Sequence, residues 1–198
     1  MILKYENKDN QFYNIQEVAK CYFHISDKLI VKLKNKKKIL LNGKVSKMSS
    51  TIQLNDIIEF DLNYPEESEN IIPTKMNLEI IFEDEALLII NKAPNTPVHP
   101  STNHYEDSLS NGVKYYFNQI NLNKKIRPVN RLDKDTSGIV IFAKNEYVQE
   151  NLITQMKTGT FKKEYLAVLE GTLSQKEAMI HAPIARKERK YYRKRNQL

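Results

Sequence analysis

Apolar positions recur at helical spacing close to the start of the chain. Ile15, Val18, Ala19, Tyr22 and Phe23 share one helical face. Asn14, followed three residues later by Glu17, is the capping pair that starts it. Ser26 predicts the start of a second short helix, with Leu29, Ile30 and Leu33 on its apolar side. The period then changes. Ile39-Leu40-Leu41, the turn signal Asn42-Gly43 and the run Ile57-Ile58-Glu59-Phe60 read as short strands joined by turns. Residues 12–62 thus form a compact module of two small helices followed by strands. Residues 63–77 hold two prolines and three acids and read as a linker.

A second unit starts near Leu78 and is expected to run to residue 198. The runs Leu78–Phe82 and Ala86–Ile90, separated by Glu83-Asp84-Glu85, predict a hairpin. Leu109, Val113, Tyr116, Phe117 and Ile120 form one face of a helix within 107–120. Ile139–Ala143 reads as a buried strand, and Asn145 caps a helix that Gly159 ends. Tyr165–Leu169 and Ala178–His181 read as strands. The fold class expected is α+β: a helix-helix-strand module, then a mixed, mainly antiparallel sheet with packed helices.

Composition narrows the class. The chain has 198 residues, 40% hydrophobic and 28% charged, enough for a real core in a soluble protein. No apolar run approaches the roughly 20 residues of a membrane span. The polar N-terminus lacks the apolar stretch of a signal peptide. A single cysteine, Cys21, excludes an internal disulfide and fits a reducing cytoplasm. His24, His99, His104 and His181 are scattered without metal-site spacing, so no metal is expected.

The net charge of +7 is segregated. Residues 28–47 hold eight lysines and no acid, 54–85 hold ten acids and one lysine, and 186–198 hold seven Lys/Arg and one Glu. A chain patterned this way presents a basic face to phosphates, or merely solvated lysine faces; charge alone leaves both open. The pattern HISDKLIVKLKNKKKILLNG…LNDIIEF resembles the small RNA-binding domain first named from a ribosomal small-subunit protein. That resemblance implies that Lys28, Lys32, Lys34, Lys36, Lys37 and Lys38 contact RNA phosphates, which position RNA without reading its sequence.

The densest candidate chemistry is the string Arg127-Pro128-Val129-Asn130-Arg131-Leu132-Asp133-Lys134-Asp135-Thr136-Ser137-Gly138, a polar loop feeding the strand IVIFA. A strand end holds a side chain more rigidly than a free loop. Leu132 can plug the core and leave Arg131 and Asp133 facing a cleft. The bland reading is an Arg–Asp ion pair beside a turn. The whole string is similar to the H-R-L-D-x-x-T-S-G signature of RluA-type pseudouridine synthases, with Asn130 in place of His. Residues 91–101, NKAPNTPVHPS, resemble the family's N-K-P-x-G-x-x-x-H-P segment, with Asn95 replacing Gly in a turn where Asn tolerates positive φ. Residues 163–171, KEYLAVLEG, resemble its K-x-Y-x-A-x-V-x-G segment.

The resemblance implies that Asp133 is the catalytic carboxylate, that Arg131 contacts RNA and helps open its stack, and that Tyr165 lines the site against the target base. It implies isomerisation of uridine in ribosomal or transfer RNA, by a monomer, without cofactor. The family's later G-R-x-H-Q-I-R segment has no match here. Arg186, Arg189 and Arg193 lie in a basic tail that does not map onto it. The catalytic domain is therefore expected to be incomplete at its C-terminal end, and these 198 residues alone to have little or no isomerase activity. Two readings stand: a pseudouridine synthase, or an RNA-binding protein that keeps a degenerate catalytic domain.

Overall fold

A computed structural model describes residues 1–66 and 70–183. The chain divides into two units, Met1–Lys162 and Lys163–Leu198. The first contains two antiparallel sheets, each with its own hydrophobic core.

The first sheet has the order β1 (Ile2–Glu6), β4 (Ile57–Asp61), β2 (Ile39–Leu41), β3 (Lys44–Val45). Strand β1 pairs along its whole length with β4, Ile2 opposite Asp61 and Glu6 opposite Ile57. Leu3 and Tyr5 point into the core while Ile2, Lys4 and Glu6 face water, the period-2 alternation of a half-buried strand. From sequence alone this strand looks like a polar terminus. Asn42 and Gly43, with φ of 50° and 74°, make the two-residue turn between β2 and β3. Two left-handed residues in succession twist a hairpin correctly.

Two short helices cover this sheet. Asn14 caps α1 (Ile15–Glu17): its Oδ1 accepts the Glu17 amide at 3.0 Å, and the Glu17 carboxylate accepts the Tyr13 amide at 2.7 Å. The helical face predicted to run on through Phe23 instead widens into a π-helical turn, Val18–Tyr22, in which the Phe23 amide donates to Val18 O at 3.1 Å. Ser26 caps α2 (Asp27–Asn35) through the Leu29 amide at 3.3 Å. Ile15, Val18, Leu29, Leu33, Ile39, Ile58 and Phe60 are fully buried together. Each large apolar side chain so buried contributes about 1.5–3 kcal/mol.

The second sheet has the order β5 (Glu79–Glu83), β6 (Leu87–Lys92), β7 (Gly138–Ala143). Asp84 closes the β5–β6 turn by accepting the Ala86 and Leu87 amides at 2.8 and 2.7 Å. Helix α3 (Leu109–Gln119) lays Leu109, Val113 and Phe117 on Leu88, Ile90, Val140 and Phe142. Helix α4 (Glu146–Thr158) begins at an Asn145 cap and ends at Gly159.

In the second unit, residues 163–183 contain neither strand nor helix. This corrects the expectation of strands at Tyr165–Leu169 and Ala178–His181. Leu166, Val168, Met179 and Ile180 are almost wholly exposed. An apolar run becomes a strand only when a neighbouring ladder satisfies its amides and carbonyls. The basic tail with Arg186, Arg189 and Arg193 lies outside the described residues.

One carboxylate ties the first module to the second. Glu66 accepts a bidentate pair from Arg127 at 2.7 and 2.9 Å and the Lys32 ammonium at 2.6 Å. Lys32 also reaches Glu146 at 2.5 Å. The side chains of Glu66 and Arg127 are only 4% and 8% exposed. Lys124 donates to the carbonyls of Leu62 and Tyr64 at 2.6 and 2.8 Å. Lys32, Lys36 and Lys124 all lie within 5.2 Å of the Tyr64 ring centroid, in range for cation–π attraction. Burial works against the Glu66 carboxylate, but the hydrogen bonds from Arg127 and Lys32 outweigh it and hold its pKa below the ordinary value of 4.5. Stabilisation from a depressed carboxylate is complete above its unfolded pKa and fades as the pH falls through the folded one. Glu66→Gln is expected to lower the unfolding free energy at pH 7 by about 3–5 kcal/mol, the cost of leaving buried cations half-paired. It is also expected to remove part of the parent's loss of stability below pH 4.5. Denaturant titrations from pH 3 to pH 7 measure both; a change under about 1 kcal/mol at neutral pH, the scale of an exposed pair, means that Glu66 does not tie the modules together.

Candidate active site

The loop that carries Asp133 is pinned at both stems. Residues 127–130 run antiparallel to β7: the Ala143 amide donates to Arg127 O at 2.9 Å and the Val129 amide to Ile141 O at 2.7 Å. Asn130 extends the ladder with its side chain. Its Nδ2 donates to Ile139 O at 2.8 Å, and its Oδ1 accepts the Ile141 amide at 2.9 Å. A carboxamide presents a donor and an acceptor side by side, as a peptide group does. That gives a physical account of asparagine at this position.

Between the stems the chain turns tightly, the Thr136 amide donating to Asp133 O at 3.2 Å. Leu132 packs against the second core, while Arg131 and Asp133 face solvent. Gly138 starts β7 at φ 125°, where a side chain would be strained.

The strongest constraint on this turn comes from beneath it. Lys92 is completely buried, and its ammonium donates to Ala93 O, Thr96 O and Lys134 O at 2.9, 2.8 and 2.9 Å. The Thr96 amide also donates to Lys134 O at 3.1 Å. One ammonium thus joins the loop after β6 to the turn that displays Asp133. Burial lowers the pKa of Lys92, and the nearby charge of Asp135 opposes that shift. Sequence motifs assign Lys92 no role, yet its position is legible. Along β6 the inward positions are Leu88, Ile90 and Lys92, so the alternation alone sends this lysine into the core.

The loop after β6 is fixed from its other side by α3. The Leu109 amide donates to Pro97 O at 2.8 Å, and Ser110 Oγ donates to Val98 O at 2.7 Å. Asn95 sits at φ 61° in this loop. His99 is half-buried; burial first, then the charge of Arg131, lowers its pKa. His104 Nδ1 lies 2.7 Å from Asp107 and holds that carboxyl below the usual range, with a smaller contribution from Lys134. Asp133, Arg131, Lys134 and His99 therefore occupy loops that converge at one end of the second sheet.

Tyr165 belongs to the second unit and is 65% exposed there. On α2 and the turn after it, Lys28, Lys34, Lys36 and Lys37 are exposed. Lys32 is engaged by Glu66 and Glu146, and Lys38 by Asp61 at 2.5 Å. Burial raises the Asp61 pKa, but the hydrogen bond from Lys38 and the Asn63 amide bring it below the usual value. Among the described residues no cluster of His, Cys, Asp or Glu is placed to hold a metal ion, and no helix is long and apolar enough to cross a membrane.

Chemically, the arrangement presents a carboxylate on a rigid turn, with a guanidinium and an ammonium in the same loop. A carboxylate so held can attack or deprotonate a bound carbon centre, and the cations suit phosphate.

Residues 86–198 match a family model described as RNA pseudouridylate synthase. The chain is 34% identical over 151 residues to YlyB, an uncharacterized RNA pseudouridine synthase of Bacillus subtilis, covering 75% of this chain and 50% of that protein. It is 32% identical over 185 residues to YhcT of the same organism, with the same description, covering 93% and 60%. It is 34% identical over 155 residues to the ribosomal large subunit pseudouridine synthase D of Blochmanniella floridana, covering 76% and 48%. The chain thus spans about half the length of the curated relatives it matches.

The clamp gives a direct expectation. Lys92→Met keeps the length of the side chain and removes all three donors. Amide exchange at Thr96 and Thr136 is expected to accelerate by at least about tenfold, since each stranded carbonyl costs on the order of 1–3 kcal/mol. The Ile141 amide, held by Asn130, is expected to keep its protection. Unchanged exchange at Thr96 and Thr136 means that Lys92 does not hold the turn.

Proposed function

The chain belongs to the RNA pseudouridylate synthase family, and on that premise we propose that it isomerises uridine in RNA with Asp133 as the catalytic carboxylate. The observation that supports this reading best is the exposure of Asp133 on a turn held by Lys92 and by the paired stems. Misplacing a catalytic group by about 1 Å costs roughly a hundredfold in rate, so such bracing is what a catalytic carboxylate needs.

The reaction conserves atoms. The bond from ribose C1′ to uracil N1 breaks, the base turns, a bond from C1′ to C5 forms, and the hydrogen on C5 is lost as N1 gains one. No oxidant, metal or cofactor is required. The ionised Asp133 carboxylate serves as nucleophile or base beside the sugar. The nucleotide leaves the stack first, at a cost of a few kcal/mol that contacts in the pocket offset. Arg131 takes the phosphate beside the flipped nucleotide, and Tyr165 is assigned to the face of the base, worth about 1–3 kcal/mol if it stacks. Relatives named for the ribosomal large subunit favour ribosomal over transfer RNA as the substrate class.

Docking is assigned to residues 12–62, joined by 63–77 to a catalytic domain from residue 78 onward. Exposed Lys28, Lys34, Lys36 and Lys37 are the phosphate contacts of this reading, since the ammonium groups of Lys32 and Lys38 are already paired. A monomer in the cytoplasm suffices, with every named residue supplied by one chain.

Asp133→Asn is expected to abolish pseudouridine formation while RNA affinity stays within a few fold, read by chemical mapping of pseudouridine in ribosomal and transfer RNA. A variant that modifies RNA like an active parent refutes the assignment. Replacing Lys34, Lys36 and Lys37 together with Gln is expected to flatten the slope of log affinity against log salt by about 2, near 0.7 per lost contact on a single strand. An unchanged slope moves the phosphate contacts elsewhere.

A further inference from the structure

The first module carries a second kind of surface that phosphate contacts do not use. Five aromatic rings form a continuous cluster on it: Tyr5, Phe12, Tyr22, Phe23 and Phe60. Tyr5 and Phe60 are buried and belong to the core. Tyr22 is not; it is 53% exposed. It meets Tyr5, Phe12 and Phe23 at centroid distances of 4.9, 6.4 and 4.8 Å, with interplanar angles of 61°, 74° and 86°. All three contacts are edge-to-face, so Tyr22 lies flat against none of its neighbours. It is a ring held in place by other rings while half its surface stays in water.

The backbone at this point is unusual in two respects. Tyr22 ends the π-helical turn of Val18–Tyr22, and His24 follows at φ 54°. Single π turns occur often at functional sites, and a left-handed residue other than glycine costs free energy that an ordinary core contact does not require. Together they place Tyr22 at the end of its turn, where the continuous helix expected from the sequence would have run on.

The charge around the ring selects the ligand. Lys20 reaches from the π turn to Asp27 at 2.6 Å, which brings the start of α2 beside the turn. Lys28 is the next residue, and Lys28, Lys34 and Lys37 are exposed and make no ion pair among the described residues. Among the acids near the turn, Asp27 is paired with Lys20, Glu17 is taken up by the Tyr13 amide, and Asp9 acts on the Tyr5 hydroxyl with burial as the larger influence. An anchored, half-exposed aromatic just before a helix that carries exposed, unpaired lysines matches a ligand that alternates flat apolar rings with phosphates.

We propose that Tyr22 is a stacking platform for an unpaired base of single-stranded RNA whose phosphates run along the α2 lysines. This rests on the RNA-binding reading above and adds to it a preference for single strands over duplex. Base–aromatic stacking tolerates any base, because every base has a π-face. The platform therefore supplies affinity that salt does not screen. Its neighbours fix the ring in advance, so little rotamer freedom remains to be lost on binding.

The test uses the full chain, a fluorescent 12-nucleotide oligouridine and a duplex of equal length, each titrated at several salt concentrations. Tyr22→Ala is expected to weaken oligouridine binding at least about fivefold at every salt concentration, with the log–log slope and the duplex affinity unchanged. Tyr22→Phe, which keeps the ring, is expected to bind like the parent. Unfolding midpoints of both variants monitor the fold. Equal binding of parent and Tyr22→Ala overturns the proposal. So does an equal loss on oligouridine and duplex, which makes Tyr22 a residue of shape, and so does a loss with Tyr22→Phe as large as with Ala. If the lysine replacements act and Tyr22→Ala does not, the platform falls and RNA binding stands. If the parent binds neither RNA, both fall together.

Discussion

A single buried carboxylate organises the first 162 residues. Glu66 receives Arg127 from the strand-like stem beside β7 and Lys32 from α2, while Glu146 at the start of α4 shares both cations. Removing charges from water is expensive, and a pair repays it only with good geometry and further hydrogen bonds. Here the geometry is a bidentate fork, and Tyr64 lies beside it with its hydroxyl pKa pushed up to about 12, by burial first and then by the charge of Glu146. The consequence reaches the site. The backbone of Arg127 opens the stem that ends at Asn130, three residues before Asp133. The position of the turn that displays Asp133 is therefore coupled to the packing of the first module.

Around that turn, two devices of different chemistry do complementary work. Asn130 fixes where the turn begins, by continuing a strand ladder with a side chain. Lys92 fixes its height over the sheet, by gathering three carbonyls that no strand satisfies. Neither residue needs to touch a substrate. Both restrict the freedom of a carboxylate that is itself exposed, which is how a surface turn can supply the rigidity of a core.

Much of this was legible in the chain. Caps at Asn14, Ser26 and Asn145, the Asn42-Gly43 turn and the hairpin of β5 and β6 are local signals, and each lies where local rules put it. What failed was non-local. Lys32 and Lys38 read as free basic residues because their partners lie 34, 114 and 23 residues away. The runs at 165–169 and 178–181 have strand composition, but composition supplies no hydrogen-bonding neighbour. The π turn after Glu17 escaped because its apolar residues keep a helical spacing whether the ladder is i→i+4 or i→i+5. Between these lies Lys92, visible in the alternation of β6 even though lysine is so seldom buried.

The Lys92 clamp also makes the turn depend on a count of protons. A charged ammonium has three N–H bonds, and here each goes to a different carbonyl. A neutral amine has two. Once Lys92 loses its proton, one of the three carbonyls must go without, and the loops it joins are no longer fully tied. Because burial lowers the pKa of this lysine, that loss comes at lower pH than for a lysine in water. The bracing of the turn is thus tied to the protonation of a side chain buried beneath it.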